Sequence, residues 1–396
     1  MMLRCGQTTS LKSVASKPVV SLDEIAAGME WIVKSGIQNE AGEHAGGFNG
    51  WYDMDKRTYP FVYSEITGYG ITTLLFLNSL RNDRIFIQRA EAAAGWIIGK
   101  AMHECGGARA RAYNTEPDHM YSFESNMLLI FDNGMILPGL VGLYNTTKNE
   151  KYLEAAVRIG KFLLSMQKPD GFFYASYDAN NDKKIDSQDK WSSQSGSYHA
   201  KLAIGLIDLY NATKDETFRQ SAIKICNSAL AAQENGRFIT QQDENSTHMH
   251  PHCYSAEGLL YAGMALGKND FVQSAAKAVE WALENQLPDG GIPCKFVDGK
   301  FITHERSDTL AQVLRLALYL KNAGLLEHNG IDRLRNRLLQ FQKAAGDHGG
   351  GFFYGKELDG TRRNHINSWC SMFAIQALAY YSHFKNRSKI GLNLFI

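Results

Sequence analysis

The sequence predicts an all-α protein, an (α/α)6 toroid built from six hairpins. Three observations carry this reading. Six helical stretches are apolar almost all round and open on polar residues, six amphipathic stretches lie between them, and a glycine-bearing turn recurs after most of the amphipathic ones. A helix apolar on every side needs protein on every side. A helix with apolar residues three and four apart and charges between them keeps one wet face. Inner and outer helices in strict alternation form a repeat, and a repeat that closes on itself has no end to cap.

The amphipathic stretches run from Leu22 to Ile37, Phe86 to Met102, Glu150 to Gln167, Glu216 to Gln233, Asp270 to Gln286 and Ile331 to Gln342. Several end on a glutamine followed by a turn, as in Gln38…Gly46-Gly47-Phe48, Gln167-Lys168-Pro169-Asp170-Gly171 and Gln286-Leu287-Pro288-Asp289-Gly290. Gln233-Glu234-Asn235-Gly236 and Gln342…Gly349-Gly350-Gly351 have the same plan. Pro-Asp-Gly and Gly-Gly stop a helix and start a small hairpin.

The apolar stretches begin at Tyr63-Ser64-Glu65, Phe131-Asp132-Asn133, Ser197-Tyr198-His199-Ala200-Lys201, His250-Pro251-His252-Cys253-Tyr254, Arg306-Ser307-Asp308 and Asn364-His365-Ile366-Asn367-Ser368-Trp369. Short links such as Asn145-Thr146-Thr147-Lys148 lead from inner to outer helix on one face, and the long loops gather with the polar mouths on the other. Function is expected at the mouths. The chain reads as an arm over residues 1–20, one toroid domain over 21–385 and a tail over 386–396.

Bulk composition narrows the function. A net charge of +1 with no long basic run gives no footprint for nucleic acid or an anionic membrane. No apolar run is long enough to span a bilayer. Residues 1–20 mix Arg4, Lys12 and Lys17 with Ser and Thr and have no signal-peptide core. The six cysteines stand singly with no CxxC, which fits reduced thiols in the cytoplasm.

At Asp132-Asn133-Gly134-Met135-Ile136-Leu137-Pro138 the chain resembles the six-hairpin glycosidases, and within them the Asp-Asn-x-Met-x-Leu-Pro segment of the unsaturated glucuronyl hydrolases. The resemblance implies the toroid, a saccharide substrate and a catalytic acid/base role for Asp132. The chain departs from that family where Ser195-Gly196-Ser197-Tyr198-His199 replaces Arg-Gly-Gln-x-Trp, and where Tyr63-Ser64-Glu65 replaces a His-Asp pair. These departures bear on specificity for an unsaturated uronic acid more than on the fold.

Glu65 and Asp132 open neighbouring inner helices, and two carboxylates in differing surroundings are what glycosidic cleavage requires. The alternative is that each caps its own helix. Trp51, Tyr63, Tyr69, Tyr198, Tyr254 and Trp369 offer flat faces for a pyranose; the bland counterpart is core packing. His199, His250, His252, His365, Glu257, Arg306 and Asp308 complete the candidate saccharide contacts, with Arg306 placed to hold a sugar carboxylate or to pair with an acid. A zinc site could be drawn from His248, His250, His252, Cys253, His365 and Cys370, but their spacing suits ligands on a helix poorly.

The sharper metal signal is the segment from Asp178 to Asp189. Asp178, Asn180, Asp182, Asp186 and Asp189 occupy positions 1, 3, 5, 9 and 12 of an EF-hand-type loop, and Lys184 occupies position 7, which offers a backbone carbonyl. Lys183 stands where Gly is usual and Asp189 where Glu is usual, so a bound calcium ion competes with a solvated polar loop. No organic cofactor is implied. Carboxylate-catalysed glycoside hydrolysis is the leading expectation. Its rivals are a uronate lyase or epimerase with a Tyr or His base, an isoprenoid cyclase or prenyltransferase, and a non-catalytic glycan-binding toroid. No Asp-x-Asp-Asp or aspartate-rich diphosphate motif supports the isoprenoid rival.

Overall fold

The computed structural model describes residues 23–187 and 189–396. The expected arm over 1–20 lies outside the described residues. Twelve helices alternate as predicted. The outer ones are α1 (Asp23–Lys34), α3 (Arg84–Trp96), α5 (Glu150–Met166), α7 (Glu216–Ala231), α9 (Asn269–Glu284) and α11 (Ile331–Leu339). The inner ones are α2 (Ser64–Arg81), α4 (Ile130–Thr147), α6 (Leu202–Thr213), α8 (Met249–Leu266), α10 (Ser307–Asn322) and α12 (Ser368–Lys385). Outside the helices, the described residues hold only two- and three-stranded ribbons.

Local chemistry fixes both ends of each hairpin. On the far face α2, α4 and α6 end on left-handed residues, Asn82, Lys148 and Lys214. The next residue, Asp83, Asn149 or Asp215, caps the following outer helix by accepting a backbone N–H. Two residues thus reverse the chain.

On the mouth face the recurring glutamines work as clamps. The amide of Gln38 donates to Gly46 O at 2.9 Å in its own turn and to Arg89 O at 2.9 Å on the next outer helix. Gln167, Gln233 and Gln286 repeat this toward Ser221, Ser274 and Gly330. Gln342 donates to Gly350 O at 3.1 Å and to Glu24 O at 2.8 Å, which joins the last unit to the first and closes the ring. Turn glycines allow the approach. Gly46 has φ +94 and Gly350 φ +92, and a Cβ on either would lie 2.1 Å from a carbonyl oxygen of the neighbouring outer helix.

The inner ring is equally tight. A Cβ on Gly68 would lie 2.7 Å from Ile136 Cα, and one on Gly258 would lie 2.1 Å from the Ala200 carbonyl. Against Gly258 the start of the third inner helix is wound as a 3-10 turn, Ser197–Lys201, before α6 begins. Short strands lead into most inner helices. Phe61–Tyr63 precedes α2, Met127–Leu129 precedes α4, Glu305–Arg306 precedes α10 and His365–Asn367 precedes α12.

Residues 386–396 pack onto the toroid, with Ile390, Phe395 and Ile396 buried. They cover the far end of the barrel. Gln376 donates to Leu394 O at 2.9 Å and accepts the Ile396 N–H at 3.2 Å, and Tyr380 donates to Gly391 O. Among the described residues no helix is long and apolar enough to cross a membrane.

Candidate active site

Strand Phe61–Tyr63 delivers Glu65 to the first turn of α2, and strand Met127–Leu129 delivers Asp132 to the first turn of α4. The close packing of these helices brings the two carboxyls together. Asp132 does not cap its helix. Its Oδ1 accepts the Tyr63 hydroxyl at 3.2 Å, and its buried Oδ2 finds no donor apart from a proton shared with Glu65. Burial, and then the charge of Glu65, push the Asp132 carboxyl well above the usual range. Burial also raises Glu65, but the Tyr63 hydroxyl, Lys201 and Arg111 offset part of that rise. Two carboxyls in contact hold one proton between them. Here it rests on Asp132.

The pair opens into a cavity of about 460 Å3 lined by Tyr63, Glu65, Arg111, Tyr121, Asp132, Trp191, Tyr198, His250, Tyr254, Arg306 and Trp369, among others. Strand pairing sets Tyr63 opposite Arg111. The Arg111 guanidinium lies 4.6 Å from the ring centroids of Phe61 and Tyr63 and 4.9 Å from that of Tyr121. It donates to the Tyr113 hydroxyl at 3.4 Å and also faces the Tyr63 hydroxyl, its Nε is unpartnered, and it makes no ion pair among the described residues. Arg306 is engaged instead. It grips Asp308 with Nε at 3.1 Å and a terminal nitrogen at 2.5 Å, and the Trp369 indole donates to the same carboxylate at 2.8 Å. Burial alone would raise Asp308, but these partners outweigh it and hold the carboxyl well below its usual range. The other cations of the cavity wall are Arg111 and Lys190, whose ammonium donates to the Tyr121 hydroxyl.

His250 is fixed in one tautomer. Its Nδ1 lies 2.7 Å from Gln312 Oε1 and 3.4 Å from Asp308 Oδ2. The Gln312 amide is oriented by donating to Glu257 at 3.4 Å. Both neighbours of Nδ1 are acceptors, so Nδ1 carries the proton and Nε2 keeps its lone pair. Burial pushes the imidazole down to about 3, so it is neutral at ordinary pH.

Other expected contacts fall elsewhere. Trp51 and His365 pack outside the cavity beside its lining residue Trp369, with the Trp51 centroid 5.1 Å from His365 and 6.3 Å from Trp369. Tyr69 and Glu257 are buried beneath the cavity and do not line it. His199 lies behind Tyr198 at 4.1 Å between centroids, with neither ring nitrogen partnered. His252 faces the outer ring, where Nδ1 accepts the Phe238 N–H at 3.3 Å and Nε2 meets Ala278 O at 3.0 Å. Among the described residues no group of three or more His, Cys, Asp and Glu side chains could hold a metal ion.

The Asp178–Asp189 segment begins as the turn of a hairpin between strands Ser176–Asp178 and Lys183–Ile185. Asp178 accepts the N–H groups of Asn180 and Asn181 at 3.0 and 3.2 Å, and Asp182 accepts the Tyr177 hydroxyl at 2.7 Å. Asn180 binds Asn126, and Lys184 donates to Ser165 O. Asp186 ties together Ala175, Lys168 and Ser195, and Asp189 accepts the Ser187 hydroxyl at 2.5 Å.

Arg111, Tyr121, Trp191 and Lys201 were not singled out by sequence reasoning. Arg111 lies in a loop run, Arg109-Ala110-Arg111-Ala112-Tyr113, that carries no motif. Lys201 did leave a signal, since it stands alone as a charge where an apolar helix begins.

A closed toroid of six hairpins has the architecture of the six-hairpin glycosidases. The chain belongs to the family described as Beta-L-arabinofuranosidase, GH127 catalytic domain, which it matches over residues 81–283, just over half its length. It is a glycoside hydrolase by that membership. Among solved structures it is similar to the cellobiose 2-epimerase of Bacillus thermoamylovorans B4167, with a TM-score of 0.75 at 11% identity over 90% of this chain and 98% of that one. A sugar epimerase from a ruminal bacterium gives 0.74 at 11% identity over 92% and 100% of the two chains. The unsaturated glucuronyl hydrolase of Bacillus sp. GL1 gives 0.63 at 14% identity over 90% and 95%. Identities this low establish a common fold and nothing finer. No curated protein sequence matches.

Proposed function

We propose that the protein hydrolyses the glycosidic bond of a saccharide that carries an acidic group, with Asp132 as general acid and Glu65 as nucleophile or base. The contact between the two carboxyls carries this reading. A carboxyl kept protonated by burial and by a neighbouring charge is a proton donor for a leaving oxygen, and its ionised partner can attack or activate water. Carboxyls in hydrogen-bonding contact stand nearer the roughly 5 Å spacing of retaining enzymes than the roughly 9 Å of inverting ones. Retention of configuration is therefore expected. Arg111 supports the acidic substrate, because a cation in the cavity wall that forms no salt bridge of its own, though its charge is felt by Glu65 and Asp132, suits a carboxylate. The free thiols among the described cysteines fit work in the cytoplasm.

The test is a screen of neutral glycosides, including arabinofuranosides, and of saturated and unsaturated uronides, with a prenyl diphosphate as control. On the substrate that turns over, Asp132→Asn and Glu65→Gln should each cost about a hundred- to ten-thousand-fold in kcat while the fold persists. Full activity in Asp132→Asn would end the reading.

A second reading rests on His250. A neutral imidazole with a free Nε2 in the cavity could take a proton from carbon beside a carbonyl, as epimerisation requires. Incubation of reducing sugars in deuterium oxide decides it, since this reaction exchanges a carbon-bound proton and hydrolysis does not.

A further inference from the structure

Beneath the cavity the barrel holds a buried group of charges that the proposed reaction does not use. Lys201 Nζ lies 2.8 Å from Glu257, and both side chains are sealed from solvent. Glu257 is shared with a second cation, because Arg315 meets its other oxygen at 2.5 Å. A buried ammonium is costly unless something demands it. This one is enclosed by the rings of Tyr254, Phe373 and Tyr69, at 4.4, 4.9 and 5.0 Å from their centroids. Its remaining ligand is Ile396 O at 3.2 Å, from the segment that covers the far end of the barrel.

Tyr69 stands on α2 one helical turn, about 6 Å, deeper than Glu65 on the same face. One of the three rings around Lys201 therefore lies below Glu65, whose charge it faces. We propose that Lys201 is a positioning residue for that pair, a fixed cation beneath Glu65 that makes Glu65 the ionised member and leaves the proton on Asp132. The proposal names Glu65 and Asp132 as the pair read above as catalytic, but its first test does not need a substrate.

The groups facing Glu65 are Tyr63 and Tyr69 from its own strand and helix, Asp132 from α4, Arg111 from the neighbouring strand, Lys201 from the start of the third inner helix and Tyr254 from α8. Those facing Lys201 are Glu257, Arg315, Glu65, His250, Cys253 and the three rings. Burial lowers Lys201 to about 8, with Glu257 opposing that fall, so the ammonium is the main form in the acidic range where Glu65 titrates. Arg111 is the other cation that faces Glu65, and it also reaches Asp132, so it does not favour one carboxyl over the other in the same way.

Two substitutions should move Glu65 in opposite directions. Lys201→Met removes the cation and should raise the Glu65 titration by on the order of one pH unit. Glu257→Gln leaves two cations without their shared anion and should lower it by a similar amount. The readout is 13C NMR of glutamate-labelled full-length protein, with Glu65→Gln used to assign the resonance. Lys201→Arg should restore the wild-type value. Where a substrate is in hand, the acid limb of kcat/KM should follow the same shifts with KM little changed. Opposite shifts support the proposal. An unmoved Glu65 in Lys201→Met, shifts of the same sign, or failure of both variants to fold would overturn it and make the charges a structural element. Shifts as expected with full activity in Glu65→Gln would uphold the proposal and refute the catalytic reading.

Discussion

The Tyr63 hydroxyl donates to Asp132 Oδ1 at 3.2 Å, from the strand before α2 to the first turn of α4. This bond crosses between two inner helices at the point where their mouths meet, and among the described residues it is the one hydrogen bond that Asp132 accepts. Tyr63→Phe would keep the ring that stacks on Arg111 while deleting the donor. Loss of one buried hydrogen bond is worth about 1 kcal/mol, so kcat should fall about fivefold. The Tyr63 bond favours the ionised form of Asp132, so its loss should carry the alkaline limb of the pH–rate profile to higher pH. An unchanged limb would mean that Asp132 is oriented by other groups.

Arg111 should decide which substrates are accepted. Arg111→Met keeps the aliphatic bulk against Phe61 and Tyr63 but removes the charge. A charge-assisted bond of about 1.5–3 kcal/mol corresponds to a rise in KM of about ten- to a hundredfold for an acidic saccharide. Neutral analogues of the same sugar should be unaffected. Equal losses on both classes, measured side by side, would place Arg111 in the packing of the wall and not in substrate recognition.

Stability should depend on pH through Asp208. This residue of α6 accepts the Tyr261 hydroxyl of α8. Burial pushes its carboxyl up to about 7, with the Tyr261 bond offsetting part of the rise. An unfolded aspartate ionises near pH 4. Between about pH 4 and pH 7 the unfolded chain therefore gives up a proton that the folded chain keeps, and stability falls as pH rises through that window. Asp208→Asn retains the acceptor and removes the penalty. Its gain in melting temperature over wild type should be near zero at pH 4 and largest above pH 7. A constant gain across this range would contradict the assignment.

Calcium binding in the Asp178–Asp189 segment is a separate proposal, based on the spacing of its oxygens. In the hairpin Asp178 is spent on two backbone N–H groups and Asp186 on Ala175, Lys168 and Ser195. Binding would have to rearrange the turn, so affinity should be weak and any rise in melting temperature should appear only at millimolar calcium. The rise should vanish in Asp182→Ala and be reversed by a chelator. No shift at 10 mM, on the order of the weakest extracellular modules or above, would leave the segment a polar hairpin.

The sequence by itself determined the architecture. Apolar periodicity fixed which helices are buried all round, and the glutamine and glycine of each turn fixed how one unit meets the next. Those signals are local and repeated, so a single chain displays them. It also pointed to Asp132 and Glu65, which stand in the first turns of two inner helices, because a lone carboxylate at the head of an apolar helix is conspicuous. Only the tertiary structure decided what each polar residue does there. Arg306 reads in sequence as a cation for a sugar carboxylate or for a nearby acid, and the structure gives it to Asp308 two residues on. Arg111 reads as nothing, yet strand pairing sets it beside Tyr63. The alternating histidines of α8 separate because successive helical positions point about 100° apart. His250 therefore turns to the cavity and His252 to the outer ring. Lys201 acquires its meaning only when α8, α10, α12 and the last residues of the chain converge beneath it, since charge balance and burial are properties of neighbours brought together by the closed ring.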